Sequence, residues 1–573
     1  MGVLLQALYF RNQNPNAVPS PLDGNASVPF WWDHLAAQAN AFRKAGFTAV
    51  WLPPPYKGAS GGLSSGYDPF DDYDLGSKNQ RRTVPTRHGT RELLQRCAAV
   101  MRANGLDIYV DIVNHHRDGD TRPFVFQYVN SAGEADKGRF PKNPKDFHPN
   151  VPNDPNTFDN SDSFGRRLAP ITGEGHHVFN GLLDAGDWLT KALDLQGFRI
   201  DDAKGISTDF LLPFLNHGAM AGRFAVSEFF DTDFGKIQAW QNLMQHRSSV
   251  FDFPLHFTLR QMCNSPDSFF MGNLDHAGFA GVDPLGSVTF AENADTDHSP
   301  FGSEAIIANK AQAYAYILTS EGYPCVFYKD YSTDAGCFGL KAVIDPLIWI
   351  HEHLAQGGTQ QRWKDNGVFA FERLGDPRLL TALNKDARNE RTITVATTFG
   401  PHADLEEFTG QGQAIRTDGA GNATITIPRN QNGRGYVCYS RPRAKTPFIV
   451  QEIETTQEFA GADDLDIGPA TMDGFSTVCR VWVSNGKRIH GALFFDAAHW
   501  TPTTSIRLEL LDPNGQTLKS GSYQASTPQG TAVQANGGKT GFYTFQIRAF
   551  QTPPANARPS FHLKVSYTAS QTI

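Results

Sequence analysis

In the stretch LDLQGFRIDDAKGIS, residues 193–207, an arginine and two adjacent aspartates close an apolar run. Side chains alternate across an extended strand, so Arg199 and Asp201 share one face and Asp202 takes the other. One reading of this cluster is a surface salt bridge. The other is a carboxylate kept ionised by the guanidinium beneath it, which is what a nucleophile beside a substrate needs. The same pattern returns at other strand ends. RFAVSEFFD puts Glu228 after an apolar run, a setting that raises a carboxyl pKa and produces a general acid. SVTFAENADTDHS closes with acids that include Asp295, and VDIVNHH closes with Asp111 and His116. One acid at a strand end is commonplace. Four strands ending in polar clusters is the layout of a barrel active site, where catalytic residues come from the ends of several strands.

The elements that must position these groups are legible as an alternation of short apolar runs and amphipathic helices. LLQALYF, FTAVWLPP, LDIYVDIV, GFRIDDA, RFAVSEFF, SVFDFPLH, SVTFAEN and YPCVFY read as eight strands. Between the first two, Leu35, Ala39 and Phe42 recur at helical spacing and Gly46 stops the helix. Between the second and third, Thr90 is placed to cap a helix that ends at Gly105. Eight such repeats predict a closed (β/α)8 barrel of the α/β class. A long Asp-, Asn-, Pro- and Gly-rich interval follows the third strand, as an inserted domain would. Beyond Phe371 the pattern changes to strands separated by turns. The expected domains are a barrel from 1–116 and 181–370, an insert over 117–180, a β-sandwich over 371–445, and a C-terminal β-sandwich over 446–573. RPRAKTP reads as the linker between the last two. In the last, Tyr543, Phe545 and Ile547 fall on one face of a strand.

Taken in order, these motifs resemble the alpha-amylase family of glycoside hydrolases over residues 3–370. GYDPFDDYDLGS, DIVNHH, GFRIDDAK, AVSEFF, FAENAD and EGYPCVFY each match a family segment, GFRxD most specifically. The resemblance implies that Asp201 is the nucleophile, Glu228 the general acid/base and Asp295 a third carboxylate that holds sugar hydroxyls. It implies that Tyr67 stacks on the sugar, that His116 and Arg199 complete its subsite, and that Lys204 contacts the leaving side. Asp111 is read as a buttress of the rim. Retaining cleavage needs two carboxyls about 5–5.5 Å apart, one ionised and one protonated, and this set supplies them.

The chain departs from the family in three places. Ala294 stands for the strand-seven histidine, Gly205 for the histidine after the strand-four lysine, and His115 for an asparagine, with Asn114 one place early. Loss of the first histidine removes a hydrogen bond to substrate unless His298 compensates. The resemblance also implies a structural calcium between barrel and insert. The change at His115 weakens that expectation, while the Gly205 carbonyl and acids in FDNSD, residues 158–162, keep it open.

Composition narrows the remaining possibilities. The chain has 573 residues and a net charge of -8, which gives no electrostatic reason to expect nucleic acid or an anionic membrane as partner. No apolar run is long enough for a membrane span. The six cysteines show no metal spacing, and a bond between Cys325 and Cys337 is left open. Trp482 and Trp500 offer either a sugar platform or core packing. No organic cofactor is expected, and a monomer is. The N-terminus lacks the features of a signal peptide, and a secreted form with its signal removed is expected ahead of a cytoplasmic one. The expected activity is hydrolysis of internal α-1,4 bonds in starch-like glucans. Its rivals are an exo-acting or transglycosylating enzyme of the same family and a glucan-binding protein with impaired catalysis. The last domain is open as a carbohydrate-binding module or a structural cap.

Overall fold

A parallel sheet must have both faces covered, so its strands become continuous apolar runs and its connections become helices. The computed structural model describes residues 2–11, 14–118, 138–152, 165–298, 304–449, 453–460, 476–495, 505–524, 530–549 and 561–569. All eight expected strands form. They are β1 (Leu4–Gln6), β2 (Ala49–Leu52), β3 (Asp107–Ile112), β4 (Gly197–Ile200), β5 (Phe224–Ser227), β6 (Ser249–Phe251), β7 (Ser287–Phe290) and β8 (Tyr323–Phe327). They close into a barrel in the order β1-β8-β7-β6-β5-β4-β3-β2. The register sets Leu4 beside both Cys325 and Ala49, and Arg199 beside Asp111.

The helices obey their local signals. In α1 (Trp31–Ala45), Leu35, Ala39 and Phe42 are buried. Gly46 then takes a left-handed φ of 105°, and a side chain there would strike Phe448 and Ile348. In α2 (Arg91–Ala103), the Thr90 hydroxyl accepts from the Leu93 N–H at 3.3 Å, and Gly105 reverses the chain at φ 74°. The helix α3 (His177–Leu193) leads into β4. Of the insert, a short strand at Arg166–Arg167 pairs antiparallel with His116–Arg117.

The chain divides into two compact units. The first comprises Met1–Asn14, Lys44–Trp51 and Val226–Ile449, the second Pro15–Arg43, Leu52–Ala225 and Val450–Ile573. In the first, a six-stranded sheet and a two-stranded sheet follow the barrel strands between Thr359 and Ser440. They enclose a core that includes Val368, Leu380, Val395, Ile425 and Tyr439. The expected linker is pinned rather than free: the Trp349 indole N–H donates to the Thr446 carbonyl at 2.9 Å, and the Phe448 ring lies 5.1 Å from that of His353.

In the second unit, the last strands form two four-stranded antiparallel sheets. Tyr543, Phe545 and Ile547 are all buried, as their shared face requires. This sandwich packs on helices of the same unit, the strand Ser476–Val483 on α2 and the strand Ile453–Ala460 on α3. Arg480 meets Glu92 at 3.6 Å, and the Arg96 guanidinium lies 4.7 Å from the centre of the Phe542 ring. Even Arg91 and Gln95 of α2 are buried. Trp482 is only 8% exposed and meets Phe542 edge-on at 4.7 Å, so it is core and not a platform; Trp500 lies outside the described residues. All six cysteines are free thiols, including Cys325 and Cys337. Among the described residues no helix is long and apolar enough to cross a membrane.

Candidate active site

The strand-four cluster is a buried bridge, not a surface salt bridge. Arg199 stands beside Asp111 across the β3–β4 ladder, and one guanidinium nitrogen, Nη1, reaches two carboxylates. It donates to Asp111 Oδ1 at 2.9 Å and to Asp201 Oδ1 at 2.6 Å. The register of β3 against β4 sets the first contact, and the alternation of side chains explains the second, because Asp201 lies two residues beyond Arg199 on the same face. Asp111 is fully buried, and burial pushes its carboxyl up to about 7; Arg199 opposes that rise and the charge of Asp201 adds to it.

Asp111 does more than buttress the rim, because its second oxygen fixes an aromatic side chain. The Tyr67 hydroxyl donates to Asp111 Oδ2 at 2.7 Å, and the Arg199 guanidinium lies 5.9 Å from the centre of the Tyr67 ring. Tyr67 is half-buried, so part of it meets solvent. The backbone of the same residue is held as well: His116 Nε2 lies 2.7 Å from the Tyr67 carbonyl oxygen. His116 Nδ1 lies 3.2 Å from Nδ1 of His115, one of the two donating. Tyr67, Asp111, His116, Arg199 and Asp201 therefore form one connected group. Lys204 lies in the turn Ala203–Gly205 with its side chain exposed. Asp202, at a left-handed φ of 40°, turns its carboxylate to His115, 3.4 Å away.

Glu228 and Asp295 belong to the other unit. Glu228 directly follows β5 and is half-buried. Asp295 follows β7, is exposed, and is carried on a turn whose geometry is set by its neighbours. The Asn293 side-chain oxygen accepts from the backbone N–H of Asp295 at 2.9 Å and of Thr296 at 2.8 Å. Glu292 is buried; it accepts from the Thr296 hydroxyl and, at 2.8 Å, from the Ile306 N–H, so it clips both ends of this loop. Lys310 neutralises Glu292 at 3.2 Å and Asp330 at 2.7 Å. Burial still pushes the Glu292 carboxyl up to about 7, against Lys310. Ala294 is buried, and the side chain of His298 lies outside what is described.

Sequence reasoning missed Asn293, Glu292, Lys310 and Asp330 as supports of the Asp295 loop. Asn293 had a local signal, since an Asn side chain hydrogen-bonds the backbone two residues on and so caps its own turn. Lys310 had none, because its partners lie 18 and 20 residues away.

Among the described residues, no group of three or more His, Cys, Asp or Glu side chains could hold a metal ion. The Gly205 carbonyl accepts from Arg167 Nη2, and His115 faces Asp202. Residues 158–162 lie outside the described part of the chain.

No family model matches the sequence. Curated relatives do. The glucan 1,4-alpha-maltohexaosidase of Bacillus sp. (strain 707) is 29% identical over 489 residues, which is 76% of this chain and 90% of that protein. The alpha-amylase of Bacillus licheniformis is 27% identical, over 75% of this chain and 94% of that protein. Among solved structures, an alpha-amylase from Geobacillus thermoleovorans superposes with a TM-score of 0.55 at 18% identity, covering 78% of this chain and 99% of that one.

Proposed function

The chain belongs to the alpha-amylase family of glycoside hydrolases, and from that premise we propose that it hydrolyses internal α-1,4 bonds of starch-like glucans with retention at the anomeric carbon. Asp201 attacks the anomeric carbon while Glu228 gives its proton to the leaving glycosidic oxygen, leaving a glycosyl ester on Asp201. Glu228, now a carboxylate, takes a proton from water, and the resulting nucleophile cleaves the ester and frees Asp201. Asp295 holds sugar hydroxyls of the distorted ring, and Tyr67 offers its ring to the sugar face. Asp111 and His116 keep Tyr67 in place.

The observation that carries this reading is the Arg199 bridge, which sets an opposite charge 2.6 Å from the proposed nucleophile. Asp201, Glu228 and Asp295 also each follow the C-terminal end of a barrel strand, the end at which such barrels build their sites. Glu228→Gln removes the transferable proton and is expected to lower kcat on soluble starch by about 10²–10⁴. Near-parental activity in that variant overturns the assignment.

The relative named as a maltohexaosidase favours a second reading, exo action that releases one oligosaccharide size. Product profiles over time separate the two: internal cleavage lowers viscosity early and gives mixed lengths, whereas exo action gives one length from the start. The loss of a histidine at Ala294 favours impaired catalysis; the intact Asp201, Glu228 and Asp295 weigh against it. Glucan binding with no release of reducing ends would support the impaired form.

A further inference from the structure

We propose that Arg167 is the resident cation at the junction between insert and barrel, and that it replaces calcium there. Arg167 sits on the short strand of the insert, paired through its backbone with His116 at the end of the β3 segment. Neighbouring backbone bonds lock it: the His148 N–H donates to the Arg167 carbonyl at 2.9 Å, and the Leu168 N–H donates to the His115 carbonyl at 2.9 Å. From that fixed base the guanidinium crosses to the turn after β4 and donates from Nη2 to the Gly205 carbonyl. One side chain therefore ties the insert to the strand that carries Asp201.

Among the described residues, the groups around this contact suit a guanidinium better than a divalent ion. Calcium asks for six to eight oxygens at about 2.3–2.6 Å. Here the carbonyl that would be one of them already accepts a charged donor. An ion bound to that oxygen would meet the guanidinium as a like charge at close range. Lys204, His115 and His148 line the same cavity as Arg167 and Gly205 and add nitrogen and positive charge; the side-chain oxygens in its wall, on Asn114, Thr172 and Ser207, are neutral. The nearby carboxylate, Asp202, is turned to His115 at 3.4 Å. The residue at 205 is also confined, since a Cβ there would lie 2.8 Å from the His115 ring and 2.9 Å from Asp202 Oδ2. His115 and the Arg167 guanidinium thus put a ring and a fixed cation beside the Gly205 carbonyl. This inference stands apart from which glycosidic bond is cleaved, because its readout is stability.

The full-length protein is heated with excess EDTA, without additive, and with millimolar calcium chloride. A micromolar calcium site would separate these midpoints by about 4 °C in a chain of this size; the expected separation is below about 1 °C. Arg167→Met should lower the midpoint by about 2 °C or more, and Arg167→Lys should recover only part of it, because an ammonium lacks the planar fork. A chelator-induced drop of about 4 °C that calcium reverses, or an Arg167→Met protein as stable as its parent, overturns the proposal.

Discussion

Asp111→Asn should stabilise the protein at alkaline pH relative to acid pH, although it removes a charge from a buried ion pair. Asp111 is fully buried, and the fold pushes its carboxyl up to about 7. Unfolded in water it titrates near ~3.9. The folded state therefore prefers the protonated form. That preference leaves stability untouched below about pH 4, erodes it as pH rises toward about 7, and has its full effect above. At ~1.36 kcal/mol per pH unit, the part falling between pH 5 and 8.5 is roughly 2–3 kcal/mol. Asparagine has the same shape and no proton to lose. Its oxygen still accepts from Arg199, and its amide can donate to the Tyr67 hydroxyl. For a unit of several hundred residues, 1 kcal/mol moves the thermal midpoint by on the order of 1 °C. The assay is the variant-minus-parent midpoint at the two pH values, in which Glu292 and the other buried carboxyls cancel. The expected result is a difference about 2–3 °C more positive at pH 8.5 than at pH 5. Parallel curves for the two proteins would refute the account of Asp111 as a carboxyl that resists ionisation.

The support of the Asp295 loop predicts a split in kinetics: Asn293→Ala strips the acceptor from two backbone N–H groups, each bond being worth about 1 kcal/mol, and kcat should fall about tenfold with KM near parental in steady-state assays. Lys310→Met leaves Glu292 and Asp330 buried without their cation, a loss of about 3–5 kcal/mol. Because the Glu292 carboxyl is pushed up to about 7, the deficit in unfolding midpoint should be smaller at pH 5 than at pH 8. Trp482→Ala should cost about 3–5 kcal/mol of stability and leave retention on starch granules unchanged; loss of retention with parental stability would restore the platform reading.

What could be read from the sequence were the features with a local period. The eight strands and the caps at Thr90 and Gly105 follow from two- and 3.6-residue patterns, and the Arg199–Asp201 contact follows from alternation within one strand. Partners brought together by closure of the fold left no such trace. Arg167 lies 38 residues from the Gly205 carbonyl it reaches, and nothing in FGRRLAP marks one arginine as different from the other. The register of β3 against β4, which sets Arg199 beside Asp111, is likewise a property of the sheet. The docking of the last strands on α2 had a faint signature: polar Arg91 and Gln95 on a helix whose other residues already supply an apolar face.

The seating of the final sandwich on α2 and α3 of its own unit has a bearing on how a polymer would be handled. A module on a leash raises the local concentration of a chain while letting it swing, so many points along the chain reach the cleft in turn. Here any glucan lodged on the described strands of the sandwich would be gripped at a set distance from Asp201, the proposed nucleophile in the same unit, in the manner of a ruler.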